Sequence, residues 1–305
     1  MSELNLFSCE NLLKRYPNGQ FQLGPVNLKL AAGEITGVVG ENGNGKTTLL
    51  RIIAGELSHD SGNMKYFGDN PVEFLSWENI HARVAYIPQR IPKWYGYLRT
   101  NLQFQASVLG IKGQEANRQI NELLDILGLN EYADLKWSEI STGYRLRFQL
   151  AKMLLSNPEL LVLDEPIANL DINAQAKFLN DLRVIATDQN RNVSVILSSQ
   201  NLHEIENVSD NVVFLRTGEM VFSGDVNKLG EDREFNEFEI STTLPLEKLK
   251  EMHSGVEFEQ TGKTFYVKAN LNLSAEDFIT SIINAGGKIT YFRDISASTR
   301  KLFKR

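Results

Sequence analysis

The 305-residue chain has one cysteine, Cys9. That rules out a disulfide framework and a cysteine metal site, and it fits a reducing compartment. Cys9 itself reads as a buried or idle thiol. No apolar run reaches the roughly 20 residues that a bilayer-spanning helix needs, so work at a membrane would require another chain to supply the span. The stretch Met1 to Glu10 lacks the basic-then-apolar layout of a signal peptide. A basic excess is missing too: 32 Lys and Arg stand against 38 Asp and Glu, for a formal net charge of -6. That balance disfavours non-specific binding to nucleic acid. There is no repeat and no low-complexity tract. What remains is 42% hydrophobic and 23% charged, ordinary for a soluble globular protein, with length enough for two domains.

Apolar patterning gives the organisation. Glu34 to Gly40 (EITGVVG) reads as a buried strand, and Thr47 to Ala54 as a helix that Gly55 ends. Gln119 to Leu127 is expected to be helical, with Ile120, Leu123, Leu124 and Leu127 on one face. Gly143 to Leu155 is expected to be a second helix, with Leu146, Leu150, Met153 and Leu154 as its stripe. The runs Leu160 to Leu163, Val193 to Leu197 and Val212 to Leu215 read as buried parallel strands. Strands alternating with helices predict a mainly parallel α/β sheet for residues 1–228. Gly230 to Asn236 is rich in charge and reads as a linker. Residues 235–305 then predict a small α+β domain of split βαβ type. Its strands are expected at 235–242, 256–260, 264–269 and 288–293, its helices at 244–252 and 275–284, and a turn at Gly286 and Gly287. No cluster in this second region reads as catalytic.

Gly40-Glu41-Asn42-Gly43-Asn44-Gly45-Lys46-Thr47 fits the phosphate-loop pattern G-x-x-x-x-G-K-[ST]. Glycines let such a loop curl so that backbone N–H groups point at phosphate oxygens. The following helix adds the positive end of its dipole. Lys46 is expected on the β- and γ-phosphates and the Thr47 hydroxyl on Mg²⁺. Asn42, Gly43, Asn44, Gly45, Lys46, Thr47 and Thr48 are therefore the candidate ATP-binding segment. Leu160 to Glu165 (LLVLDE) puts two carboxylates at the end of a buried strand, where ligand sites form in such sheets. Asp164 suits the role of holding Mg²⁺, and Glu165 that of general base toward the attacking water.

Five further segments resemble those of the ATP-binding subunits of ABC transporters. Tyr16 matches the aromatic that stacks on adenine. Gln89, in Tyr86-Ile87-Pro88-Gln89, resembles the glutamine that reaches Mg²⁺ and the attacking water. Ser141-Thr142-Gly143-Tyr144, followed by Arg147 and Ala151, resembles the signature motif. Ala168-Asn169-Leu170-Asp171 and Leu197-Ser198-Ser199-Gln200 resemble the D-loop and the switch segment. The resemblance covers residues 1 to about 228 and implies an ABC ATPase fold, with a mainly parallel sheet and a helical subdomain. The end of the chain, with Ile295-Ser296-Ala297-Ser298 and Leu302-Phe303, is more loosely similar to the C-terminal domain of exporter ATPases.

The resemblance implies ATP and Mg²⁺ as ligands, Glu165, Gln89 and Gln200 as catalytic residues, and Thr47, Gln89 and Asp164 at the metal. It also implies a head-to-tail dimer, of two copies or of two different ATPase subunits. There Ser141 and Gly143 of one subunit face the γ-phosphate held by the other. A separate integral membrane permease is the implied partner, with this chain on the cytoplasmic face of the membrane.

Three positions depart from the pattern. Thr142 replaces the first glycine of the usual signature, so the backbone there must suit a β-branched residue. Tyr144 replaces glutamine. Gln200 replaces the switch histidine and donates without charge, which predicts slower turnover; His203 is expected on the helical surface. Two other function classes stay open, a regulatory pseudo-ATPase and a soluble ABC ATPase without a transporter. The aromatic run Lys93-Trp94-Tyr95-Gly96-Tyr97 reads either as part of the permease contact or as a packed loop. Arg300-Lys301 with Lys304-Arg305 reads as a solvated tail.

Overall fold

The computed structural model describes residues 5–19, 21–68, 76–188, 191, 193–228 and 235–296. It divides into two compact units, Met1–Val226 and Asn227–Arg305. In chain order the first unit contains β1 (Asn5–Arg15), β2 (Gln22–Ala31), β3 (Ile35–Val39), α1 (Lys46–Ile53), β4 (Ser61–Tyr66), α2 (Trp77–Arg83), β5 (Val84–Ile87) and α3 (Leu98–Val108). It continues with α4 (Gly113–Ile126), α5 (Thr142–Leu154), β6 (Leu160–Leu163), α6 (Ile172–Thr187), β7 (Ser194–Ser199), α7 (Leu202–Ile205), β8 (Asn211–Arg216) and β9 (Glu219–Asp225).

The main sheet has the order β5-β6-β7-β3-β8-β9. Its first five strands are parallel, and β9 joins antiparallel to β8. Every residue of β3, β6 and β7 is buried, which is why these strands read as unbroken apolar runs. The parallel register brings Ile87, Leu163 and Leu197 into one row across β5, β6 and β7, and Val39 beside Ser199. Four loops therefore leave the same edge of the sheet side by side: those after β5, β6, β7 and β3. A second, antiparallel sheet, β2-β1-β4, lies in the same unit.

Two expected helices are longer or more buried than the sequence pattern suggested. α4 begins at Gly113, six residues before the expected Gln119, because its first turns are polar and solvated, with Ala116 as their buried residue. Leu127 follows its last turn and is fully buried. α5 buries Arg147, Phe148 and Gln149 as well as Leu146 and Leu150, so it is enclosed on more faces than one stripe. Met153 is only half-buried.

The second unit runs β10 (Phe235–Thr242), α8 (Leu246–Met252), β11 (Glu257–Thr261), β12 (Thr264–Asn270), α9 (Ala275–Asn284) and β13 (Ile289–Asp294). Its sheet order is β11-β12-β10-β13 with all neighbours antiparallel, the split βαβ arrangement. Its core gathers Phe238, Ile240, Leu249, Phe265, Val267, Phe278 and Ile282. α8 starts two residues later than expected, because Pro245 occupies the extended cap position and keeps Leu244 out of the helical region. At the turn after α9, Gly286 has φ +82°, and a Cβ on Gly287 would come 2.6 Å from the Leu244 side chain. The strand expected at 235–242 is β10, so Phe235 and Asn236, which also read as the end of the linker, belong to the sheet. Residues 230–234 of that linker, and the terminal segment with Ala297, Ser298, Leu302, Phe303 and the basic residues 300–305, lie outside the described residues.

Candidate functional site

The loop after β3 is shaped by close packing. A Cβ on Gly40 would sit 2.6 Å from the Leu215 carbonyl oxygen, and one on Gly45 would sit 2.9 Å from the Phe21 ring. Gly45 also has φ +97°, which glycine alone adopts without strain. The loop curls back to place Lys46, 4% exposed, where its ammonium donates to the Gly40 and Glu41 carbonyls at 2.7 and 3.2 Å. The same ammonium lies 3.0 Å from Glu165 Oε1.

The loops after β5, β6 and β7 converge on that point. Thr47 Oγ1 donates to Asp164 Oδ2 at 2.8 Å, and Ser198 Oγ donates to Asp164 Oδ1 at 2.9 Å. Ser198 Oγ also accepts the Glu165 backbone N–H at 2.8 Å. Two neutral amides then meet on one carboxylate oxygen: Gln89 Nε2 and Gln200 Nε2 donate to Glu165 Oε2 at 2.9 and 3.0 Å. Glu165 is 7% exposed and has φ +44°, in the left-handed region. Such a conformation in a non-glycine residue marks a carboxylate held by its surroundings. Tyr86, on β5, has its phenol pushed above its ordinary value by burial and by the nearby Asp164 charge.

A cleft of about 620 Å³ opens over this cluster, lined by Tyr16, Phe21, Asn42, Gly43, Gly45, Lys46, Thr47, Thr48, Gln89 and Glu165. Tyr16 OH lies 3.1 Å from Thr48 Oγ1, and its ring centroid is 6.1 Å from that of Phe21. Glu165 also borders a smaller cavity of about 140 Å³ with Ser198, Ser199 and Gln200, so its carboxylate stands between two spaces. The donor set near Asp164 is all oxygen and suits Mg²⁺, which keeps several waters and takes one or two carboxylates plus phosphate oxygens. Among the described residues there is no cluster of three His, Cys, Asp or Glu placed to hold a metal, as that mode of binding allows.

Not every candidate residue lines this cleft. The side chain of Asn44 turns away, its Oδ1 accepting the Thr217 backbone N–H at 3.0 Å. Ser141 and Gly143 stand at the N-terminus of α5, outside the cleft lining. Thr142 is the first residue of that helix and is absent from the positive-φ positions, so the β-branched side chain meets no backbone conflict. His203 lies in α7 with Nδ1 2.9 Å from Glu206 Oε1. Two residues escaped the sequence reading. Phe21 left a signal in its spacing from Tyr16, whose N–H donates to the Phe21 carbonyl at 3.1 Å across a tight turn. Ser198 lies in a short polar run, where nothing in the sequence shows which hydroxyl faces the acids.

With this geometry in place, the comparisons decide the family. A family profile described as ABC transporter matches residues 23–168, from β2 through the acidic pair. The chain carries an ABC transporter ATP-binding domain. It is 27% identical over 303 residues to an uncharacterized ABC transporter ATP-binding protein of Bacillus subtilis, with 98% of each chain covered. It is 29% identical to a bacitracin transport ATP-binding protein of Bacillus licheniformis, over 95% of this chain and 94% of the relative. A phosphonates import ATP-binding protein of Treponema denticola is 27% identical over 74% of this chain and 92% of its own. Among solved structures, cbiO1 of Clostridium perfringens, part of an ABC transporter complex, superposes with a TM-score of 0.69 at 22% identity, over 75% of this chain and 92% of that one. This likeness shows the ABC ATPase fold. Domains of this family bind ATP, generally with Mg²⁺, and hydrolyse it in general. Among the described residues no helix is long and apolar enough to cross a membrane.

Proposed function

We propose that this chain is the ATP-binding and hydrolysing subunit of an ABC exporter, and that ATP-driven closure of an ATPase dimer moves a separate membrane permease. The observation that carries the proposal is the convergence of Lys46, Thr47, Asp164, Gln89 and Gln200 around Glu165 at one edge of the sheet. In this reading the amides of the 42–48 loop and the Lys46 ammonium hold the phosphates. Tyr16 and Phe21 receive the adenine. Thr47, Asp164 and Gln89 hold Mg²⁺, which when bound would neutralise charge on the phosphoryl oxygens. Glu165 accepts the proton of the attacking water, and Gln89 and Gln200 keep its carboxylate aimed. Ser141 and Gly143, at the start of α5, serve the nucleotide of the opposing subunit, whether that is a second copy or a different ATPase. ATP favours the closed dimer because only that state supplies both sets of donors.

The proposal assigns residues 1–228 to ATP chemistry and 235–305 to a C-terminal accessory domain. It places the chain on the cytoplasmic face of the membrane, docked on the permease, with no nucleic acid partner. Whole-length likeness to the bacitracin transport relative supports a transport role that includes the second unit. Export follows the second unit's resemblance to exporter ATPases. The test is to tag the chain, solubilise native membranes gently and identify what co-purifies. A multi-spanning protein is expected. Soluble protein or ribosomes alone, under conditions that preserve other transporters, would overturn the transport reading.

One observation favours a second reading, a nucleotide-dependent switch with little turnover: the neutral Gln200 amide stands in place of an imidazole. The intact group of Lys46, Asp164, Glu165 and Gln89 favours hydrolysis instead.

A further inference from the structure

The first turn of α5 has a weak end-cap. The Tyr144 backbone N–H reaches Ser141 Oγ at 3.5 Å, the outer limit of a useful hydrogen bond. Ser141 and Thr142 are exposed. Besides this cap the turn has the Arg145 N–H bond to the Ser141 carbonyl at 3.0 Å and the Arg145 Nε bond to the Trp137 carbonyl at 2.9 Å. An exposed helix end with so few ties frays, yet these are the residues whose direction matters if they serve a phosphate.

The side chain of Tyr144 adds a further tie. Its ring lies on that of Tyr132, with centroids 3.9 Å apart and planes at 31°. Its hydroxyl donates to the Tyr132 hydroxyl at 2.7 Å. Tyr132 ends the short 3-10 turn Asn130–Tyr132, which follows α4. The Arg147 guanidinium lies 5.7 Å from the Tyr144 ring centroid. Arg147 is itself fixed. It is 6% exposed, pairs with Asp181 of α6 at 2.6 Å, and donates to the Leu127 carbonyl. Gly143 also packs close to α6, where an added Cβ would sit 3.1 Å from the Ala174 Cβ. One ring thus ties the start of α5 to the segment after α4 and, through Arg147, to the helix that follows the D-loop segment.

We propose that Tyr144, stacked on Tyr132 and backed by Arg147, is a positioning residue that fixes the direction of the Ser141–Gly143 turn. It acts through those residues, since Tyr144 does not line the phosphate-loop cleft of its own chain. A glutamine at this place has no ring to stack, so the tyrosine supplies an anchor that the usual signature lacks. The inference rests on the ATPase reading for its catalytic consequence but not for its structural one.

The test uses the full chain with Tyr144→Ala, Tyr144→Phe and Tyr132→Leu. Hydrogen exchange of the amides of residues 144–147 without nucleotide reads the positioning directly. Steady-state turnover reads its consequence. Tyr144→Ala and Tyr132→Leu are expected to speed exchange in that turn at least about tenfold, while protection in β6 stays intact, because stack and network are lost together. They are expected to lower kcat about tenfold, with the KM for ATP changed less than about twofold, because misdirection of the donors is felt in the closed state. Tyr144→Phe, which keeps the ring, should restore most of both. Unchanged exchange in both stack-breaking variants would overturn the inference, as would loosened exchange with full kcat. If wild-type turnover proved independent of Glu165, the ATPase reading would fall, and the exchange result would decide the anchoring claim alone.

Discussion

The two compact units bury different things. In the first, Lys46, Arg147, Asp164, Glu165 and Asp181 each keep less than a tenth of their surface exposed. In the second, Glu237 is the one buried charge among the described residues, and the core is a set of phenylalanines and aliphatics. Burying an ion costs several kcal/mol unless its partners are in place. The first unit meets that cost with two clusters, Lys46–Glu165 at the phosphate loop and Arg147–Asp181 under the start of α5. Both clusters sit where the proposed chemistry needs fixed direction. The second unit instead stacks Phe238 on Phe278, with centroids 5.4 Å apart, an arrangement built on apolar packing rather than on paired charge.

This contrast predicts that substitutions separate by unit. The largest effect is expected for Lys46→Ala. ATP affinity should fall by about 1,000-fold or more, because the phosphates lose their charged donor and Glu165 keeps an unpaired charge. Isothermal titration measures it, and retention of micromolar binding would break the contrast. Phe278→Ala comes next. It should destabilise the chain by about 3–5 kcal/mol and leave ATP affinity within about twofold, as read by denaturant unfolding and titration on one preparation. Equal loss of affinity would show that the second unit is not a purely structural body. Phe21→Ala should weaken ATP binding by about three- to tenfold, the usual weight of one aromatic contact, while Tyr16 remains in place.

The smallest effect concerns pH. The His253 ring lies 5.0 Å from that of Phe278 with the planes tilted at 55°, and 2.8 Å separates it from Ser281 Oγ. Burial lowers its pKa below the ordinary 6.5. Below about pH 6.5 the unfolded chain takes up this proton before the folded one does, so stability is full above that pH and declines as pH falls toward the folded value. Thermal unfolding of the second unit should therefore drop between pH 7.5 and 5.5 in the wild type, and drop less in His253→Gln.

Much of this contrast was legible in the residue pattern, for definite reasons. β3, β6 and β7 are buried on both faces, so they read as continuous apolar runs, and the phosphate loop and acidic pair lie directly after two of them. The second unit's strands and helices followed from alternation and the turn at Gly286 and Gly287, except that Pro245 sets the start of α8 two residues later than expected. Other features were hidden. β1 has register shifts against both neighbours, which break the two-residue rhythm that marks a strand. α3 leaves Phe104 and Val108 exposed, so its apolar residues do not trace a core stripe. The meeting of Gln89 and Gln200 on one oxygen of Glu165 joins residues more than a hundred positions apart, and only the parallel order β5-β6-β7 brings them together. The stack of Tyr144 on Tyr132 likewise depends on how α5 returns past the end of α4.

The central claim is that Glu165 drives ATP hydrolysis from the point where these loops converge. The most direct measurement is steady-state phosphate release by the wild type and by Glu165→Gln under the same conditions, with ATP binding measured on both. The account predicts a wild-type rate at least about 100-fold above that of the variant, as expected for removal of a general base, with ATP binding retained in both. Equal rates in the two proteins would contradict it.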